Sequence, residues 1–327
     1  MENKLINGLS DKIINGYKLK KDEALSILKL HEPDIFFLLA EANKVKYHFK
    51  GNVVNFCSII NAKSGKCSED CTFCAQSAHN KATVDVYPLL PSEKIVECAL
   101  KSFQSGAREF GIVTSGKGIK TDKDIEEIAK AIAVIKENSW GVRCASLGIL
   151  STETLLKLKE AGLEFVHHNL ETSENFFPKV CTTHKYEERI KHVKNVKNLG
   201  LKLCSGGIFG IGEGDEDRVD LAFTLKELNV DSIPLNFLNP IEGTPAADNL
   251  PLHPMKILKI IAMFRLINPM VNIRVCGGRE KNLRSLQPLI FIAGANGALI
   301  GNYLTTIGRP PEEDLDMISD LGLVLDK

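Results

Sequence analysis

The sequence predicts a (β/α)8 barrel of the TIM type, and three observations carry that prediction. Eight short apolar, β-branched runs alternate with longer amphipathic ones, the pattern of strands separated by helices. A single barrel of about 250 residues plus extensions accounts for the chain length. Glycines and capping residues punctuate several of the helical runs.

Residues 1–50 read as a helical extension packed outside the barrel, with the pairs Leu25/Leu28 and Phe36/Leu39 on apolar faces at i, i+3 spacing. The barrel itself is expected over 51–309. Its strands are predicted at 53–59, 109–114, 142–146, 165–169, 202–207, 232–237, 272–276 and 298–302. Helices are predicted between them at 92–104, 122–136, 152–160, 186–199, 218–228, 254–267 and 283–294. Ser92 and Thr152 are the expected N-caps, while Gly162 and Gly200 stand where helices should stop. Residues 310–327 read as a short helical tail.

Lys plus Arg equals Asp plus Glu, 41 of each, which gives no reason to expect nucleic acid or an anionic membrane as partner. No segment approaches the roughly 20 apolar residues of a membrane span. The opening MENKLINGLSDKIING lacks the apolar core of a signal peptide, so a cytoplasmic protein is expected. Nine cysteines in a reducing compartment point to metal binding or catalysis rather than disulfides.

Three of those cysteines follow the first strand in the run Lys66-Cys67-Ser68-Glu69-Asp70-Cys71-Thr72-Phe73-Cys74. Thiolates in C-x3-C-x2-C spacing can hold three corners of a [4Fe–4S] cubane and leave the fourth iron open. That iron is then free to chelate the amino and carboxylate groups of S-adenosylmethionine (SAM), whose sulfonium is cleaved by one electron to a 5′-deoxyadenosyl radical. A structural zinc completed by His79 is the competing reading. A loop at the C-terminal end of a barrel strand, with an aromatic Phe73 before the last cysteine, favours the cubane and the radical SAM pattern.

Beyond this loop the sequence resembles the biotin synthase family, from about residue 34 to residue 323. The matching stretches are NAKSGKCSEDCTFCAQS, VHHNLETS, TTHKYEER, KLCSGGIFGIGEGDEDR, PLNFLNPIEGTPAADN, IRVCGGRE and FIAGANGALIGNYLTT, in that order. The resemblance implies that Cys67, Cys71 and Cys74 hold the SAM cluster. It implies that Asn169 and Glu171 meet the SAM ribose and Arg189 its carboxylate. Phe73 and the stretch 206–213, with Gly206, Ile208 and Gly210, would line the rest of the SAM site. Short acceptors suit a ribose and a guanidinium fork suits a carboxylate. His167 and Asn236 match positions that hold the ureido ring of dethiobiotin. Familiar members carry Asn at the first of these, and Asp in place of Glu171.

The resemblance also implies an auxiliary iron–sulfur cluster that supplies sulfur, held in better-known members as [2Fe–2S] by three cysteines and an arginine. Cys144, Cys204 and Arg274 match three of the four positions; the fourth is Gly111, which cannot ligate iron. Cys57 and Cys276 are additional. Cys57, Cys144, Cys204 and Cys276 sit on the first, third, fifth and seventh predicted strands, and barrel interiors are filled in layers drawn from alternate strands. Arg274 and Cys276, two residues apart, should share a face. A rebuilt auxiliary cluster is therefore expected: a four-iron type on Cys57, Cys144 and Cys204, with Arg274 and Cys276 as further ligands or neighbours. A two-iron cluster in which Cys57 replaces the missing ligand is the alternative. Cys98 and Cys181 read as structural.

Family membership further implies dethiobiotin as substrate, an electron donor such as flavodoxin or ferredoxin, and a homodimer. Two other functions compete: a related radical SAM barrel with a different small substrate, and a non-catalytic metal-binding scaffold. Cys144, Cys204, Arg274 and the Asn236 motif together argue for the first reading.

Overall fold

In the computed structural model, which describes residues 5–119 and 121–326, the first and ninth strands of one parallel sheet pair with each other. The sheet thereby closes into a barrel. Its strands are β1 (Val53–Lys63), β2 (Glu109–Thr114), β3 (Val142–Ser146), β4 (Phe165–His167), β5 (Lys202–Cys204), β6 (Gly207–Phe209), β7 (Ser232–Phe237), β8 (Asn272–Val275) and β9 (Gly297–Leu299), with β10 (Val324–Leu325) outside the ring against β1. Helices cover the outside at Ser92–Gln104, Asp122–Glu137, Thr152–Ala161, Tyr186–Asn198, Asp215–Glu227 and Pro254–Ile267. Along β1, Phe56 is fully buried towards the helices, while its neighbour Cys57 lines the interior, the alternation a strand imposes.

β5 and β6 share one barrel position. β5 pairs with β4 on one side, and β6 pairs with β7 on the other. The break in the predicted strand 202–207 has a cause in β7. Ser232 accepts a bond from Ser205 N–H, but Pro234, two residues on, has no N–H to offer the same side. Gly206 sits against that proline so closely that a Cβ would lie 2.0 Å from the Pro234 oxygen.

Several expected boundaries move. Ser92 and Thr152 are first helical residues, and the N-caps are Pro91 and Ser151, the latter accepting from Thr154 N–H at 3.1 Å. Gly162 caps its helix in the left-handed region, and Gly200 follows Asn198 and Leu199 with φ of 70°. The predicted helix 283–294 is broken into Arg279–Leu283, a 3-10 turn at Arg284–Leu286, and Leu289–Ile292. Pro288 denies the interior an N–H.

Before the barrel lie helices Leu9–Ile14, Lys21–Leu28 and Asp34–Lys50. Leu28 and Leu39 are buried as expected, but Phe36 is 54% exposed, because the buried stripe runs through Ile35, Leu38, Leu39, Ala42 and Val45. Among the described residues no helix is long and apolar enough to cross a membrane.

The last helix, Pro311–Asp320, is locked to the barrel by a buried ion pair. Asp314 accepts from both terminal nitrogens of Arg279, at 2.8 and 2.7 Å, and neither side chain meets solvent. Asp314→Ala strands a buried guanidinium, so a loss of about 3–5 kcal/mol is expected. Urea denaturation of the variant beside the parent measures it; a loss near zero would show that the guanidinium finds another partner.

Candidate active site

A cavity of about 330 Å³ opens at the C-terminal ends of the strands. Phe73 and Cys74 enter it from the loop after β1; Asn169, Glu171 and Ile208 line one wall; His167 and Asn236 face it from β4 and β7. Deeper in the barrel it meets Cys57, Cys144, Cys204, Cys276, Arg274 and Gly111. Cys67, Cys71, Arg189, Gly206 and Gly210 do not line it.

The three-cysteine loop is held by hydrogen bonds of its own. Cys67 pairs with Ser77 in a short bridge, and Asn80 Nδ2 donates to the carbonyls of Cys71 and Cys74 at 3.1 and 2.8 Å. The cysteines are half-buried and unbridged. Burial pushes the Cys74 thiol up to about 11 and raises Cys67; contact with Cys181, then burial, raises Cys71. Iron binding must therefore displace protons from all three thiols. The donor set, three free thiols on one loop, fits a cubane. It fits zinc poorly, since His79 is exposed and its Nε2 donates to the Ser68 carbonyl at 3.0 Å.

Among the described residues, the three ligand-type atoms that do converge, within 4.8 Å, belong to Glu69, Cys181 and His184. Sequence reading missed this cluster and took Cys181 as merely structural. Asp70 binds the same segment, accepting from Thr182 N–H at 2.9 Å and Cys181 Sγ at 3.2 Å. Segment 181–184 is thus tied to the cysteine loop by two consecutive acids.

Arg189 does not line the cavity and is held by its neighbours. It donates from Nε to His184 at 2.9 Å and from Nη1 to the Asn169 carbonyl at 2.6 Å. Glu171 stands 3.7 Å from the same Nη1, with φ of 70°, and burial raises its carboxyl despite Arg189. Asn169 links Glu171 to Gly206, accepting from Gly206 N–H at 3.1 Å.

Burial lowers the His167 imidazole to about 4, so it is neutral at pH 7 and offers one donor and one acceptor. Asn236 uses one amide hydrogen on the Gly207 carbonyl at 3.1 Å and accepts from Gly277 N–H at 3.0 Å. One donor and one lone pair remain free for a ligand.

The deep end is built from two thiol pairs. Cys57 packs with Cys276 and Leu299, and Cys144 with Cys204 and Phe165. Cys276 lies one residue past β8, yet lines the cavity with Arg274. Burial, then the charge of Glu109, raises Cys204 to about 12 and Cys144 well above its usual value. Gly111 pairs in register with Cys144, where Ile59 occupies the space: a Cβ would stand 3.1 Å from its Cγ2. Arg274 is ion-paired to Glu109 at 2.8 Å and also donates to Asn55 and Ser232. Glu109 is a further residue that sequence reading missed.

Comparison with known proteins gives the family. The Radical SAM superfamily model matches residues 62–225, and the Biotin and Thiamin Synthesis associated domain matches 234–324. The biotin synthase of Geobacter metallireducens is 51% identical, covering 99% of this chain and 98% of its own. That of Clostridium acetobutylicum is 49% identical over 99% of both chains. The chain belongs to the biotin synthase family. Solved structures show how widely the biotin synthase fold is shared. Methylornithine synthase superposes with a TM-score of 0.85 at 22% identity, covering 98% of this chain and 97% of its own. A hydrogenase maturase from Carboxydothermus hydrogenoformans gives 0.81 at 16%, covering 98% and 79%. At such identities the likeness concerns the barrel alone.

Proposed function

We propose that this chain converts dethiobiotin to biotin as a radical SAM sulfurtransferase. The observation that carries the reading is that the last cysteine of the loop, His167, Asn236 and four further cysteines all open into one cavity. Cys67, Cys71 and Cys74 would hold the cubane. Cys57, Cys144 and Cys204 would hold an auxiliary cluster of the four-iron type, with Cys276 in reserve. When bound, these groups and SAM supply the hydrogen-abstracting radical and the sulfur.

The residues supply the setting. Neutral His167 and the free edge of Asn236 match a ureido ring, which both donates and accepts. Val113, Phe237, Ile241 and Leu299 give the cavity an apolar wall that keeps water from a reactive intermediate. With Glu109 at 2.8 Å, Arg274 is best read as a cation offsetting cluster charge. The physiological setting we infer is a cytoplasmic homodimer reduced by a flavodoxin or ferredoxin; nine unbridged cysteines suit such a compartment.

An anaerobic assay with SAM, a reductant and dethiobiotin should yield biotin and 5′-deoxyadenosine together. Asn236→Leu should raise the KM for dethiobiotin about tenfold or more, since a site built for hydrogen bonds penalises their loss. SAM affinity should change little. Equal loss of both ligands would mark a folding defect and remove Asn236 from the substrate site; absence of biotin with the parent protein would overturn the function.

A further inference from the structure

We infer that His184 is a positioning residue: it aims Arg189, through a hydrogen-bonded chain that starts on Glu69 inside the three-cysteine loop. The inference rests on the assignment of Arg189 to the SAM carboxylate.

The chain has only one proton arrangement. A guanidinium can only donate, so the Arg189 Nε–H at 2.9 Å makes His184 Nε2 the acceptor. The imidazole proton is then on Nδ1, 2.5 Å from Glu69 Oε2, with Cys181 Sγ at 3.2 Å beside it. A metal bound by Glu69, Cys181 and His184 would need that Nδ1 lone pair. It would push the proton to Nε2, directly against the arginine N–H. The trio is therefore a hydrogen-bond relay and not a cation site.

Glu69 is itself held. Thr183 Oγ1 donates to its Oε2 at 2.8 Å and Ser68 Oγ to its Oε1 at 2.9 Å. Phe177 fixes the other two members: its ring meets His184 edge-on at 5.5 Å and carries the Arg189 guanidinium at 5.2 Å. With Nε on His184 and Nη1 on the Asn169 carbonyl, Nη2 has no hydrogen-bond partner among the described residues. That leaves one edge of the fork for an anion. Without His184, Arg189 is free to swing fully onto Glu171, already 3.7 Å away, and the anion edge is lost. The relay also runs from Glu69, the middle of three residues between the first two cysteines, so the set of the loop and the aim of Arg189 are mechanically joined.

The test is SAM binding by equilibrium dialysis to the iron-reconstituted protein, with iron content and melting temperature as controls. His184→Leu should raise the SAM Kd about tenfold and leave dethiobiotin affinity unchanged. In an Arg189→Ala background the same substitution should add almost nothing, because the two residues act in series. His184→Gln, which can restore an acceptor at the Nε2 place, should stay within about twofold of the parent, whereas His184→Asn, which reaches only the Nδ1 place, should not. That pair decides the matter even if His184→Leu loses its cluster. An unchanged Kd in a well-folded His184→Leu protein, a full additional loss in the Arg189→Ala background, or equal behaviour of Gln and Asn would each overturn the inference. If Arg189→Ala alone binds SAM like the parent, the carboxylate assignment is wrong and the inference falls with it.

Discussion

Replacing Cys71 with alanine is expected to abolish 5′-deoxyadenosine formation, with a fall on the order of a hundredfold or more. Loss of an outer partner of a metal ligand already costs about 10–100-fold, and here a ligand itself is removed from a cubane that has one open iron. The surrounding loop should survive, because what Cys71 gives the loop is its backbone: its carbonyl accepts from Asn80 Nδ2 at 3.1 Å and from Cys74 N–H at 3.1 Å. Cys181 is the neighbouring thiol and a candidate substitute ligand, so the variant is best read beside Cys71→Ala/Cys181→Ala. Iron and sulfide analysis with chromatography of SAM products gives the answer. A parental rate in the double variant would remove the radical SAM assignment of this loop.

The barrel was legible because its signal is local and repeated. β2, β3 and β7 fall where apolar, β-branched runs place them, and helices Ser92–Gln104 and Pro254–Ile267 fall on their predicted bounds. Misplaced features have long-range or degenerate causes. Ser151 and Thr152 are adjacent hydroxyl residues of equal capping chemistry, and only the backbone turn selects the first. The split between β5 and β6 depends on Pro234, a residue of another strand. Phe36 belongs to a helix whose apolar residues exceed one face, and packing against the helix Pro254–Ile267 decides which face is buried.

The candidate site divides in the same way. Cysteine spacing is written in eight consecutive residues and needs no fold to be seen. Glu109 looks like an ordinary first residue of a strand until the barrel closes and brings Arg274, 165 residues away, to 2.8 Å. Glu69 and His184 are 115 residues apart in sequence and 2.5 Å apart in space. Buried charges of this kind require partners, but no local pattern says which ones. Gly111 was visible as a missing thiol, yet the close approach of the Ile59 side chain to it is a tertiary fact.

The deep end of the cavity yields the second large effect. Cys57→Ala should preserve SAM cleavage and abolish biotin formation, since Cys57 stands with Cys276 and Leu299, apart from the three-cysteine loop. The parent protein, reconstituted anaerobically, should carry about eight irons per chain, two cubanes of four. Two thiolates and Arg274 would make a poor auxiliary site, because Arg274 is already committed to Glu109, Asn55 and Ser232, and a neutral, iron-binding guanidinium is disfavoured beside a carboxylate. Three thiolates from Cys57, Cys144 and Cys204 would hold a cubane, which would supply the sulfur. In Cys57→Ala the iron count should drop to about four, with the SAM-cluster signature intact in the Mössbauer spectrum. Cys276→Ala separates ligand from neighbour: it should keep the auxiliary iron if Cys276 is only in reserve. About six irons in the parent, with a two-iron signature, would replace the four-iron reading by a two-iron cluster in which Cys57 takes the place of the missing ligand. Unchanged biotin yield in Cys57→Ala would return Cys57 to the core as a small buried hydrophobe.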